Sequence, residues 1–131
     1  MASARYAFFI HLRATEEWLR LARAERRRIA ESCLRVATAG TPGLALRHFD
    51  AEAFTADCSD VVLAETTDPL LYYDFMERLR DSALLAHPYF VLVRIVPAIE
   101  DGYRGFEERD TGCATHSTTD VFASPVTLRS R

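Results

Sequence analysis

Residues 47–65, RHFDAEAFTADCSDVVLAE, decide the fold. Apolar runs stand at both ends of this stretch, as LALRHFD over residues 44–50 and DVVLAET over residues 60–66. Both read as short β-strands, with β-branched and aromatic residues bounded by turn formers. The connection AEAFTADCS is too long for a tight hairpin, so it is expected to carry a helical turn or a bulge. Arg47, His48, Asp50 and Glu65 sit where a plain strand would carry apolar side chains. Ionisable groups lose free energy on leaving water, so on a half-buried sheet they need partners or a cavity. The segment is therefore a candidate site as well as a fold marker.

Working outward, the N-terminal side holds a strand and a helix. Residues 4–13, ARYAFFIHLR, alternate. Tyr6, Phe8, Ile10 and Leu12 share one face, while Arg5, Ala7, Phe9, His11 and Arg13 share the other. Thr15 reads as an N-cap with Glu16 and Glu17 in the first turn, where the helix dipole favours negative charge. A helix to about residue 38 is expected, with Leu19, Ala22, Ile29, Cys33 and Val36 as its apolar stripe. Arg26 falls where that stripe predicts a core residue, so the helix is kinked or split near residues 22–25, or Arg26 snorkels. GTPG at residues 40–43 ends it.

On the C-terminal side, Asp68 and Pro69 form an N-cap and N1 pair. The helix they open carries the stripe Tyr72, Phe75, Met76, Leu79 and Ala83. After His87 and Pro88, YFVLVRIV reads as a fourth strand that Pro97 closes. The order β-α-β-β-α-β, with right-handed crossovers, predicts an α+β, ferredoxin-like domain: a four-stranded antiparallel sheet with both helices on one face. The other face carries Phe9 and strand-four apolar residues, and a face-to-face homodimer would cover it.

Composition narrows the function classes. The chain has 131 residues, 49% apolar and 27% charged, with a net charge of −3. That length suits one domain with its own core, and that charge gives little attraction to phosphate backbones, so no nucleic-acid partner is expected. All 16 basic residues are arginine, which we read as codon bias rather than as anion recognition. No apolar run approaches a membrane span. The N-terminus alternates like a strand and holds only about seven apolar residues before His11, short of a signal peptide. Cys33, Cys58 and Cys113 match no zinc or CxxC spacing, so a reduced, cytoplasmic setting is expected. GxSxG, P-loop, GxGxxG and HExxH patterns are missing from the sequence, which removes most support for serine hydrolase, nucleotide and zincin chemistry.

FFIHLRATEEWLRL (residues 8–21), RHFDAEAFTADCSDVVLAET (47–66) and HPYFVLVRIVPAIEDGYRGFE (87–107) together resemble the darcynin family of small bacterial proteins. The pairing of FDAEAF with CSDV, and of PYF with IEDGY, carries the resemblance over about residues 5–107. It implies a ferredoxin-like, dimeric α/β-barrel and no particular reaction. The wider dimeric α/β-barrel group includes cofactor-independent monooxygenases, polyketide cyclases and isomerases, an analogy at fold level only.

Strands one, three and four are neighbours in this topology, so His11, Glu65 and Arg94 are expected to converge as the catalytic set: base, orienting carboxylate and electrostatic stabiliser. The competing reading is a self-neutralising charge cluster at a dimer interface. His48 and Asp50 share a strand face and read as a His–carboxylate pair or as exposed edge-strand residues. Trp18, Tyr73, Asp101 and Tyr103 are further ligand-binding candidates. Trp18 and Tyr73 would stand at a cavity rim, and the 100–104 loop, EDGYR, would lie over the barrel mouth; a solvent-exposed turn or a short helix is the alternative for that loop. Cys58, in an acidic loop, reads as structural. His11, His48, Asp50 and Glu65 offer no tight ligand spacing, so no metal and no cofactor is expected.

The expected organisation is a domain over residues 1–107 and an arm over 108–131, docking across the dimer through VFASPVTL. The expected function is small-organic-ligand binding in a homodimer, with cofactor-independent proton transfer, cyclisation or oxygenation of an aromatic or polyketide-like metabolite. The alternative is a non-catalytic binding or assembly module whose polar sheet face fixes the dimer.

Overall fold

The computed structural model describes residues 4–113; the VFASPVTL segment lies outside them. The chain divides into two compact units, Met1–Glu100 and Asp101–Arg131. In the first unit the elements run β1 (Tyr6–Ala14), α1 (Glu16–Arg20), α2 (Arg23–Ala37), β2 (Ala45–Asp50), β3 (Asp60–Thr66), α3 (Pro69–Asp81), α4 (Ala83–Ala86) and β4 (Phe90–Ile99). The sheet is antiparallel throughout with order β2-β3-β1-β4, the ferredoxin-like arrangement.

Local chemistry explains most boundaries. The Thr15 hydroxyl accepts from the Trp18 N–H and starts α1. The Asp68 carboxylate accepts from the Leu70 N–H, with Pro69 at the first helical position of α3. Gly40 turns the chain out of the α2 end with φ of 81°, a conformation that costs glycine nothing. The Ser82 hydroxyl caps α4 through the Leu84 N–H, which is why the α3 stripe stops at Leu79 and Ala83 belongs to a separate turn of helix.

The expected long first helix is split. The chain leaves α1 at Leu21 and restarts at Arg23, and Arg26 does not snorkel to solvent. Its guanidinium donates to the carbonyl oxygens of Trp18 (3.1 Å), Leu21 (3.2 Å) and Leu19 (2.7 Å). Those are among the carbonyls that a helix end leaves without intrahelical partners. The break resets the helical phase, so the predicted stripe fails at its ends: Leu19 and Val36 are exposed. The face that packs on the core is Ile29, Ala30, Cys33, Leu34 and Ala37.

β4 also departs from expectation by running through Pro97 to Ile99. It is an edge strand, so a residue without an N–H is tolerated when its nitrogen faces the open side. The register shifts between His11 and Leu12, where β4 carries one extra residue.

The core lies on one sheet face. Ile10, Leu12, Ala64 and Phe90 from the strands meet Phe75, Met76, Leu79 and Leu84 from α3 and α4. Phe8 stacks on Tyr72 with ring centroids 3.7 Å apart, and burial pushes the Tyr72 phenol pKa up. The opposite face leaves Phe9, Phe49, Val91 and Val96 exposed. Among the cysteines, Cys58 is buried and free, in keeping with a structural role.

In the second unit, Asp101 takes a positive φ of 48° and α5 (Gly102–Cys113) follows. The EDGYR segment is thus a helix start rather than a loop, and residues 107 and 108 both fall inside the helix. Tyr103 is exposed, with the Arg104 guanidinium over its ring.

Candidate functional site

Alternation along the strands divides the predicted site residues between two faces. His11 and Arg94 are direct cross-strand partners on β1 and β4, on the face away from the helices. Glu65 shares that face but not that rung. It pairs with Ala7 and Ala45, four residues along β1 from His11, which amounts to about 13 Å of strand. Its carboxylate instead lies 3.6 Å from the Arg47 guanidinium. The expected His11–Glu65 contact is therefore not formed, because the β1–β3 register sets Glu65 near the other end of the strand.

The helix-covered face holds a cavity of about 750 Å³. Strand residues Ile10, Leu12, Leu46, Val62 and Phe90 line one wall, and Ala30 and Leu34 of α2 with Phe75 and Leu79 of α3 line the other. Trp18 is a wall residue rather than a rim residue. It is buried, with its ring centroid 4.9 Å from that of Phe90 and 5.4 Å from that of Tyr89. Tyr73 is exposed on α3 and lines no part of the cavity.

Polar groups gather at one end of the cavity. His48 and Asp50 project from β2 and Asp60 from β3, while Arg23, Arg26 and Arg27 come from α2. His48 and Asp50 do share a face, but the carboxylate that engages the imidazole is Asp60: His48 Nε2 lies 2.7 Å from Asp60 Oδ2 and 3.9 Å from Asp50 Oδ1. The second Asp60 oxygen accepts from the Ser59 hydroxyl. The Ser59 hydroxyl in turn accepts from the Ala14 N–H, and the Ser59 backbone N–H donates to the Leu12 carbonyl. The 51–59 connection is thereby fastened to the end of β1, and Arg13 donates to the Ala56 and Asp57 carbonyls of the same loop. Asp60 is thus held from both sides, and His48 leans on a fixed carboxylate. Such a carboxylate orients an imidazole.

His48, Asp50 and Asp60 each bring one donor atom within 4.8 Å of the others, the group best placed to hold a cation among the described residues. The 2.7 Å separation of His48 and Asp60 is that of a hydrogen bond. Ligand atoms around a metal at about 2.1 Å would stand farther apart, so a cation would have to open that bond. His11 and Glu65, grouped with these residues on sequence, face the other way.

Asp60 was missed on sequence, though a signal exists. With the Asp50–Asp60 pairing of the β2–β3 ladder, Asp60 is diagonal to His48 on the same face. Arg23 and Arg27, one helical turn apart, were hidden among arginines with no distinguishing context.

The family model described as "Darcynin, domain of unknown function" matches residues 3–118. Darcynin of Chromobacterium violaceum is 48% identical over 66 residues, covering 50% of this chain and 84% of its own. Darcynin 1 of Acinetobacter baumannii is 39% identical over 87 residues, covering 66% of this chain and 97% of its own. Among solved structures, a heme-binding protein from Thermus thermophilus superposes with a TM-score of 0.66 at 15% identity over 81% of this chain. An arginine-to-lysine variant of chlorite dismutase from Candidatus Nitrospira defluvii gives 0.66 at 14% identity over 83%. This chain spans 45% of the length of each of those two structures. At such identities the likeness is one of fold.

Proposed function

The chain belongs to the darcynin family, and from that premise and the shape of its interior we propose that it binds a small organic ligand between sheet and helices. The observation that carries this is the cavity itself: about 750 Å³, walled by apolar and aromatic side chains, with a few polar groups at one end. Ligand sites have that size and that division of labour. His48 is the group that would take or return a proton there, with Asp60 orienting it, so cofactor-free proton transfer on an aromatic or polyketide-like metabolite is the reaction class we favour.

The lining does not fit a heme iron, the group named for the Thermus protein. The imidazole in it, His48, is half-exposed on an edge strand, with its Nε2 taken by Asp60.

Trp18 is the single tryptophan and lies in the cavity wall, so occupancy is readable as a change in its emission. Anilinonaphthalene sulfonate should quench Trp18 saturably. Ala30→Phe, which puts a ring into the same space, should weaken that binding by roughly tenfold or more while leaving the far-UV spectrum unchanged. Equal dye affinity in the two proteins would place the binding elsewhere.

A second copy of the chain is the occupant we propose for the open sheet face. Phe9 and Val96 form a cross-strand pair there, and Phe49 and Val91 are exposed on the same face beyond the His11–Arg94 rung. Exposed large apolar side chains grouped on one face favour an interaction site there. His11 and Arg94 then belong to the contact between copies, where they would fix its register. Light scattering should report a dimer for the parent protein and a monomer for Phe9→Asp combined with Val96→Asp; a dimer that survives both charges would rule this face out.

A further inference from the structure

We propose that the cavity takes an amphipathic anion: an apolar body against Trp18, Phe75 and Phe90, and an acidic group against Arg23 and Arg27. The inference rests on the ligand-binding reading above and names the class of ligand.

The charge balance at the polar end carries it. Arg26 is spent on three α1 carbonyls. Arg47 lies beside Glu65, a residue of the other sheet face. Asp60 is engaged by His48 and Ser59, and the Asp50 side chain is 78% exposed and therefore well hydrated. Among the described residues, the hydrogen bonds and ion pairs of the cavity end thus leave Arg23 and Arg27 unclaimed. They stand at positions i and i+4 on α2, so they are neighbours on one face and can address a single group.

Arg23 is also unfavourably placed for the helix itself, a cost that Glu25 in the same first turn partly offsets. Arg23 opens α2, and Ala22 at the N-cap contributes no side-chain hydrogen bond. Cations at the positive end of a helix dipole oppose it, and an uncapped start leaves N–H groups unpaired. Arg23 and Arg27 are exposed and still line the apolar cavity, so both guanidinium groups are open to the acidic group of a ligand whose body lies inside. Planar guanidinium forks suit carboxylate, sulfonate and phosphate oxygens alike.

Two dyes of one ring skeleton separate charge from shape: anilinonaphthalene sulfonate and neutral phenylnaphthylamine, each titrated against Trp18 emission at fixed salt. The parent protein should bind the sulfonate about tenfold more tightly than the neutral dye. Arg23→Gln with Arg27→Gln should abolish that preference and leave the neutral dye's affinity unchanged. Arg20→Gln with Arg35→Gln removes the same charge from outside the cavity and should preserve the preference. Equal affinities in the parent protein, or a preference that survives loss of Arg23 and Arg27, would overturn the anionic class while leaving the cavity as a binding site. Failure of both dyes to bind would overturn the ligand reading and this inference together.

Discussion

Phe75→Ala should lower the unfolding free energy by about 3–5 kcal/mol, read as a fall in the urea midpoint at unchanged slope. Phe75 has no exposed surface, and its ring stands where α3 packs against the buried strand residues. Truncating it removes apolar area from the core and joins the vacated volume to an existing cavity, so collapse around the gap is hindered on one side. Both contributions have the same sign, which places the expected loss in the upper range for core deletions. Phe54→Ala is the natural comparison. Phe54 is 90% exposed in the 51–59 connection, and its loss should change stability by less than about 0.5 kcal/mol. A loss below about 1.5 kcal/mol at Phe75 would mean that the cavity floor is looser than the buried cluster implies.

The second large effect is expected at Arg26. Methionine there keeps the straight aliphatic stem and the helix preference but removes every donor. The Trp18, Leu19 and Leu21 carbonyls would lose their guanidinium partner. Of these, the Trp18 carbonyl keeps a bond from the Leu21 N–H at 3.1 Å. All three bonds are charge-assisted and two of them are partly buried, which makes a loss of about 1.5–3 kcal/mol reasonable for the set. The structural consequence is more specific than the energy. With the α1–α2 corner no longer clasped, Trp18 should shift against Tyr89 and Phe90, so the near-UV signal and the emission maximum should both move. An Arg26→Met protein with unchanged melting and unchanged Trp18 emission would show that the corner is held by packing alone.

These two residues illustrate what could be read in advance. Phe75 was legible because a stripe at helical spacing following an Asp-Pro helix start is local information. Thr15, Asp68 and the glycine turn after α2 were legible for the same reason. Arg26 was legible only as a conflict: the stripe demanded an apolar residue, but nothing local says where a guanidinium will find acceptors. The expected convergence of Glu65 with His11 and Arg94 failed at a different level. Alternation correctly put His11 and Glu65 on one side of the sheet, yet their separation depends on strand register. That register follows from a nine-residue connection whose path is set by Ser59, Arg13 and the end of β1. The cavity is less legible still, because it is a remainder of packed side-chain volumes and has no periodicity. His48, discounted as an edge residue, proved to stand at its mouth, since an edge strand of a sheet half-covered by helices borders the space between them.

Pro97 gives the molecule a property that no single contact conveys. Sheets with two free margins are templates for endless sideways growth, each new strand satisfying the row of amides left by the last. Here the β4 margin is missing a donor at Pro97, and the β2 margin alternates charge through Arg47, His48 and Asp50. Both devices discourage a foreign strand from docking. Addition of a further strand is thereby disfavoured at either margin, so the sheet is protected against growth into a fibre.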